Sequence, residues 1–292
     1  MKKLMFAIAA VAAGTVLADV TSANVVGYQN YGDLNKGGHT LTAPTFLQVS
    51  SPTNFTLADL KVTDYPPVIE VDEEEYEGGV GGGQIIVRTL TVGGTYGANQ
   101  YYWIDDGETG PGWFKNAVGS AIPGGAASVK FNANQALWIY RSSGTDPDYG
   151  YKVVGSGAVN TEEVRYTTDK GGHTAIGNGT PVDLTLADLS ITDYPPVIEV
   201  AEEEYEGGVG GGQIIVRTLT AGGIYGSDQY YWIDDGETGP GWFKNAVGSP
   251  ITGGAKSVNI DAGKGLWVYR SSGTDSKYKY QLVIPGVDLK AK

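Results

Sequence analysis

One stretch of the chain occurs twice. The fifteen residues QYYWIDDGETGPGWF stand at Gln100–Phe114 and return letter for letter at Gln229–Phe243, 129 positions on. From Asp64 to Ser120 every residue matches the one 129 positions later except at five places: Asp72/Ala201, Val92/Ala221, Thr95/Ile224, Ala98/Ser227 and Asn99/Asp228. Identity over such a length marks a repeated structural unit. A chain of 292 residues divided this way gives two units, each long enough to bury a core of its own. The expected organisation is a signal peptide over 1–18, a first β repeat domain over 19–160 and a second over 161–292.

The N-terminus supports the first of those boundaries. Lys2 and Lys3 precede an apolar run, Leu4–Ala13, and Val16-Leu17-Ala18 forms a small-residue cleavage site, the pattern of a secretory signal. The run is too short to span a bilayer, and no later stretch is long and apolar enough, so no membrane insertion is expected. The mature chain is expected to begin at Asp19 and to be secreted, extracellular or at the cell surface. With 0 cysteines, disulfides, thiol catalysis and thiolate metal sites are excluded together. Removing Lys2 and Lys3 takes the basic count from 20 to 18 against 33 acidic residues, a charge of −15. Such a surface repels phosphate backbones and anionic lipid, which argues against nucleic acid as a partner and leaves divalent cations and neutral glycans compatible.

Glycine turns separate short aromatic and β-branched runs with almost no 3.6-residue periodicity, which predicts an all-β chain of two tandem sandwich or barrel-like units. Strands are expected over 84–90, 100–105, 112–115, 128–132, 136–142 and 149–154, with a leading strand over 23–31 and a linker over 155–163. The two TLADL segments, Thr56–Leu60 and Thr185–Leu189, suit a single helical turn capped by threonine. Pro66–Pro67 forbids a central strand there, and the Tyr65–Pro66 bond is of the type that tolerates cis. The strands are apolar on both faces: Tyr101 and Trp103 oppose Tyr102 and Ile104, and Leu137 and Ile139 oppose Trp138 and Tyr140. A strand of that kind lies between two layers, or one of its faces meets a ligand or another subunit.

The signal, the opening Asn24–Tyr28 (NVVGY) and the closing aromatic strands Ala136–Tyr140 and Gly265–Tyr269 together resemble a group of secreted bacterial proteins. In that group NVVGY opens the mature chain and a glycine-preceded aromatic strand closes each unit. The resemblance touches the N-terminus and the unit ends. It implies an exported β-rich repeat protein and brings no activity or site residues with it.

Several residue groups carry candidate chemistry. Asp105, Asp106 and Glu108, with Asp234, Asp235 and Glu237, surround a glycine turn after a strand. They fit an ordinary Asp-Gly turn, a calcium site, or a carboxylate pair for glycoside hydrolysis, in that order. The run Glu70, Asp72, Glu73, Glu74, Glu75, Glu77 lacks the spacing of a dedicated calcium loop and fits a solvated acidic turn better. Gly78–Gly83 has no Lys-Ser/Thr after it and is not a phosphate loop. His39 and His173, one per unit in GGHT, read as turn histidines without a catalytic partner. Tyr101, Trp103 and Trp113, with Tyr230, Trp232 and Trp242, and with Trp138 beside them, either stack on sugar rings or fill the sandwich. Lys115 forms an amide crosslink only with a distant asparagine, since neighbouring Asn116 cannot reach it without strain.

These features lead to an expectation of a non-catalytic exported structural protein that needs no cofactor, a subunit of a filament or surface layer. Head-to-tail contact between near-identical units does not close on itself, and a leading strand with Val25, Val26 and Tyr28 is suited to completing a neighbour's sheet. The alternative is a bivalent, lectin-like secreted protein that binds cell-surface glycans and uses calcium at the Asp105–Glu108 turn. A secreted glycoside hydrolase is the third reading.

Overall fold

The computed structural model describes residues 26–33, 35–44, 46–47, 54–66, 85–90, 96–104, 111–116, 119–132, 135–195, 214–219, 225–233, 240–245 and 249–287. The chain is all-β. Its first half holds β1 (Val26–Asp33), β2 (His39–Thr42), β3 (Phe46–Leu47), β4 (Asn54–Thr56), β5 (Lys61–Thr63), β6 (Ile85–Leu90), β7 (Tyr96–Ile104), β8 (Gly112–Lys115), β9 (Lys130–Asn132), β10 (Leu137–Arg141) and β11 (Lys152–Val159). The second half holds β12 (Val164–Tyr166), β13 (His173–Gly177), β14 (Leu184–Thr185), β15 (Ser190–Thr192), β16 (Ile214–Leu219), β17 (Tyr225–Ile233), β18 (Gly241–Lys244), β19 (Asn259–Ile260), β20 (Gly265–Arg270) and β21 (Gln281–Ile284).

Each half contains one antiparallel five-stranded sheet of the same order, β2-β10-β6-β7-β8 in the first and β13-β20-β16-β17-β18 in the second. A smaller sheet forms a second layer: β11 flanked by β1 on one side and by β3 and β5 on the other, and β21 between β12 and β15. The alternation of the strands decides what lies between the layers. Ile85, Val87, Tyr101, Trp103, Leu137 and Ile139 point one way and pack against Leu57, Leu60, Val62, Tyr151 and Val153. The second half repeats this with Ile214, Val216, Tyr230, Trp232, Leu266 and Val268 against Leu186, Leu189, Ile191, Tyr280 and Leu282.

The TLADL segments form single 3₁₀ turns, Leu57–Asp59 and Leu186–Asp188. The backbone N–H and the hydroxyl of Thr56 both donate to Asp59 Oδ2, at 2.8 and 2.7 Å, and Thr185 repeats this with Asp188. No cis peptide bond occurs among the described residues, so Tyr65–Pro66 is trans. β7 starts four residues before the expected strand, and β11 runs through Val159 into the segment expected as linker. The reason for the second difference is pairing: Val26–Asn30 lie opposite Ala158–Val154 over five consecutive residues. The leading strand is therefore hydrogen-bonded to its own chain. Val25 lies outside the described residues.

Arg141 and Arg270, both buried, close the aromatic strands. Arg141 Nε donates to Thr145 Oγ1 at 2.7 Å, one terminal nitrogen donates to the Asp146 carbonyl at 2.7 Å, and the guanidinium sits 4.7 Å over the Tyr151 ring. Arg270 does the same with Thr274, Asp275 and Tyr280. Tyr151 and Tyr280 hold φ of 46° and 50°, a conformation costly for a bulky residue, and each backbone N–H is fixed to an aspartate carbonyl, Asp64 or Asp193.

The other face of each five-stranded sheet is also covered. Leu41, Ala136 and Trp138 of the first half form one buried cluster with Ala175 and Trp267 of the second, with Tyr140 and Tyr269 at its margin. The two large sheets thus meet through equivalent faces. Thr42 bridges to Lys264 and Gln135 bridges to Ile176, and Ile176 and Lys264 are the counterparts of Thr42 and Gln135. This reciprocity is the signature of an isologous, pseudo-two-fold contact. Ala43 N–H donates to the Gly263 carbonyl at 2.8 Å and Ala136 N–H to the Ala175 carbonyl at 3.1 Å, tying the halves through main chain.

His39 and His173 lie at the start of β2 and β13, inside this aromatic layer and not in the turn itself, which Gly37 and Gly171 make with φ of 70°. Trp138 Nε1–H donates to His39 Nδ1 at 2.9 Å, and His39 stacks on Tyr140 at 4.4 Å. His173 stacks on Tyr269 at 4.7 Å and lies 4.4 Å from Trp267. Burial, then the Arg88 charge, holds His39 below its ordinary value, and burial with Arg217 does the same to His173. The unfolded chain takes up protons at these histidines from about pH 6.5 downward while the folded chain does so only at lower pH. Between those values the unfolded state binds more protons, so stability falls as the pH drops below about 6.5. The melting temperature measured from pH 7 to 5.5 should fall less steeply in His39→Gln/His173→Gln than in the parent.

Candidate aromatic groove

The strand ends of the first half converge on an open groove of about 350 Å³. Its wall is built by cross-strand pairing. Trp103 on β7 lies directly opposite Trp113 on β8, so both indoles emerge on the same side of the sheet. Trp103 is 4% exposed and belongs to the core, whereas Trp113 is half-buried and stands at the rim. Tyr65 packs edge-on against Trp103, with ring centres 4.7 Å apart and planes at 65°. Leu60, Lys61, Val62, Pro111 and Ala126 complete the lining, with Lys61 as the exposed cation.

The second half rebuilds the same arrangement from counterpart residues. Trp232 lies opposite Trp242 on β17 and β18, and Tyr194 meets Trp232 edge-on at 4.8 Å and 69°. Only two lining positions differ, Lys61/Ser190 and Val62/Ile191.

Tyr101 and Tyr230, 7% and 8% exposed, are core residues of the sandwich and do not reach the groove. Burial pushes both phenols above their ordinary value. Trp138 and Trp267 lie between the halves and not on an outer surface. Of the six tryptophans, only Trp113 and Trp242 are exposed in part. Asp105, Asp106, Glu108, Asp234, Asp235 and Glu237 lie outside the described residues, as do the acidic run from Glu70 to Glu77 and Gly78–Gly83. Of the described residues next to those segments in the first half, Tyr65 and Pro111 line the groove, while buried Ile85 pairs with Trp103 and buried Ile104 with Gly112.

Asn116 and Asn245 take a left-handed turn conformation, with φ of 64° and 63°. Each side-chain carbonyl accepts from the backbone N–H of Gln100 or Gln229 at 3.0 Å, so these amides fasten the open ends of the β7–β8 and β17–β18 hairpins, away from the connecting segments. Lys244 pairs with Asp228 at 2.9 Å, and that hydrogen bond raises its pKa, the opposite of what a lysine nucleophile needs. Sequence reasoning missed Tyr65 and Tyr194; the signal was their place beside the prolines, just before the acidic run.

No protein-family model, no curated protein and no solved structure matches the chain. No described helix is long and apolar enough to cross a membrane.

Acrylamide quenching of the intrinsic fluorescence should resolve a readily quenched minority of the indoles. That fraction should disappear in Trp113→Phe/Trp242→Phe with little loss of stability.

Proposed function

We propose that the protein is an exported, non-catalytic binding protein that presents two equivalent aromatic grooves to neutral carbohydrate. The observation that carries this reading is the groove beside Trp113, repeated in its aromatic residues at Trp242. A half-exposed indole with a tyrosine beside it offers an apolar face with a polar rim, the surface on which a sugar ring stacks. Two grooves on one chain let a polymer or a glycosylated surface engage both, multiplying a weak single-site affinity. Calcium at Asp105, Asp106 and Glu108, and at Asp234, Asp235 and Glu237, is a separate part of this proposal, motivated by the three carboxylates that the sequence gathers around a glycine in each half.

The second reading, a self-assembling subunit of a filament or surface layer, draws on β8 and β18. These are the terminal strands of their sheets among the described residues, and strand addition at such an edge joins copies through main chain. The head-to-tail route required unlike faces to meet, whereas the halves meet through like faces. β1 is paired at home.

A glycan array probed with and without chelator separates the readings. The parent should bind neutral saccharides. Each of Trp113→Ala and Trp242→Ala should weaken its own groove by about 2- to 10-fold, the range expected for loss of one aromatic contact. The double substitution should abolish array binding while the chain stays folded. Ordered polymers with no saccharide binding would favour the assembly reading instead.

A further inference from the structure

The surface through which the halves meet has diverged where the aromatic positions behind it have not. Trp138/Trp267 and Tyr140/Tyr269 are the same residue in both halves, while Leu41/Ala175, Thr42/Ile176, Ala43/Gly177 and Ala136/Gly265 all differ. The differences are ordered by size. Leu41 and Ala43 of the first half project over Gly265 and Gly177, which pair with each other in the second. A Cβ at Gly265 would come 2.5 Å from Leu41 Cγ and 2.7 Å from its carbonyl carbon, and a Cβ at Gly177 would come 2.7 Å from Ala43 Cβ across the junction, besides meeting the Lys264 carbonyl oxygen of its own half. Neither contact is possible without displacement. The first half carries a plug and the second a saddle of bare backbone. On the other side of the pseudo-two-fold axis the matching contact sets Ala175 against Ala136, small against small.

Like halves brought together by the same operation fit badly. Two first halves would drive Leu41 onto Ala136 twice and oppose Ala43 to Ala43, which is overpacked. Two second halves would leave Ala175 over Gly265 twice, with voids where Leu41 belongs.

We propose that this face is a pairing surface with a specified partner: a first half accepts a second half and rejects a copy of itself. The duplicated unit is thereby kept from associating with its own kind through the one large apolar face it shares with its twin. The two outward grooves are held in a fixed two-fold relation.

The test uses full-length chains and thermal unfolding. At an ordinary strand position Gly→Ala stabilises, because glycine is the poorer strand former. Gly265→Ala should instead lower the melting temperature, and Leu41→Ala should lower it by about 4 °C or more. Ala175→Leu should be destabilising alone and should recover in part when Ala136→Gly clears the space beneath it, a non-additivity that only contacting residues show. Ala175→Leu/Gly265→Ala, with two plugs and no saddle, should suffer most, and its Trp138 and Trp267 should become accessible to acrylamide. A rise in melting temperature for Gly265→Ala would overturn the proposal. So would strict additivity of Ala175→Leu with Ala136→Gly, a result still readable if Gly265→Ala fails to fold.

Discussion

A β-sheet that is apolar on both faces has to be covered twice, and that constraint organises the whole molecule. In each half one face of the five-stranded sheet is closed by the small sheet around β11 or β21 and by the 3₁₀ turn of TLADL. Its other face, carrying Leu41 and Trp138 or Ala175 and Trp267, has no layer of its own among the described elements and is closed by the other half. Burying an indole and its neighbours there stabilises the pairing by about 3–5 kcal/mol per tryptophan, on the scale of large-to-small core substitutions. Each half therefore supplies the layer that the other lacks among the described elements.

The groove follows from this arrangement. The aromatic surface left partly open lies on the core-facing side of each large sheet, opposite the Trp138 or Trp267 face, at the edge where β8 and β18 bring Trp113 and Trp242 to the rim. The sandwich interior holds Trp103 and Trp232 rigid behind them, and Tyr65 and Tyr194 are fixed against those indoles. A preformed wall loses little entropy when a ligand is laid on it, which is the property the proposed carbohydrate binding would draw on.

Much of this was legible in the amino-acid order. The duplication, the all-β class, the two-sided strands and the threonine-capped turns all followed from spacing and residue type, because period-two alternation and capping chemistry are local. What was not legible was long-range. Nothing in QYYWI or GWF distinguishes an indole packed in the core from one at the rim of the same face, so Trp103 and Trp113 looked alike although one is buried and the other half-buried. The GGHT histidines looked like turn residues because glycine dominates the local pattern; their partners, Trp138 and Tyr269, are about a hundred residues away. The expectation that unlike faces meet rested on identity alone, and identity serves a two-fold contact equally well. The small differences Leu41/Ala175 and Ala136/Gly265, which carry the pairing geometry, are invisible as signals until the contact is seen.

The central claim is that the two halves are joined as one body through the Leu41–Trp138 and Ala175–Trp267 faces. Amide hydrogen exchange of the full-length chain, read at Ala43 and Ala136, tests it most directly, since both amides donate across the junction. The account predicts protection at these two amides comparable to that of central-strand amides such as Val87 and Val216. Exchange there as fast as in surface turns, with the strand cores still protected, would show two halves that do not hold together and would contradict it.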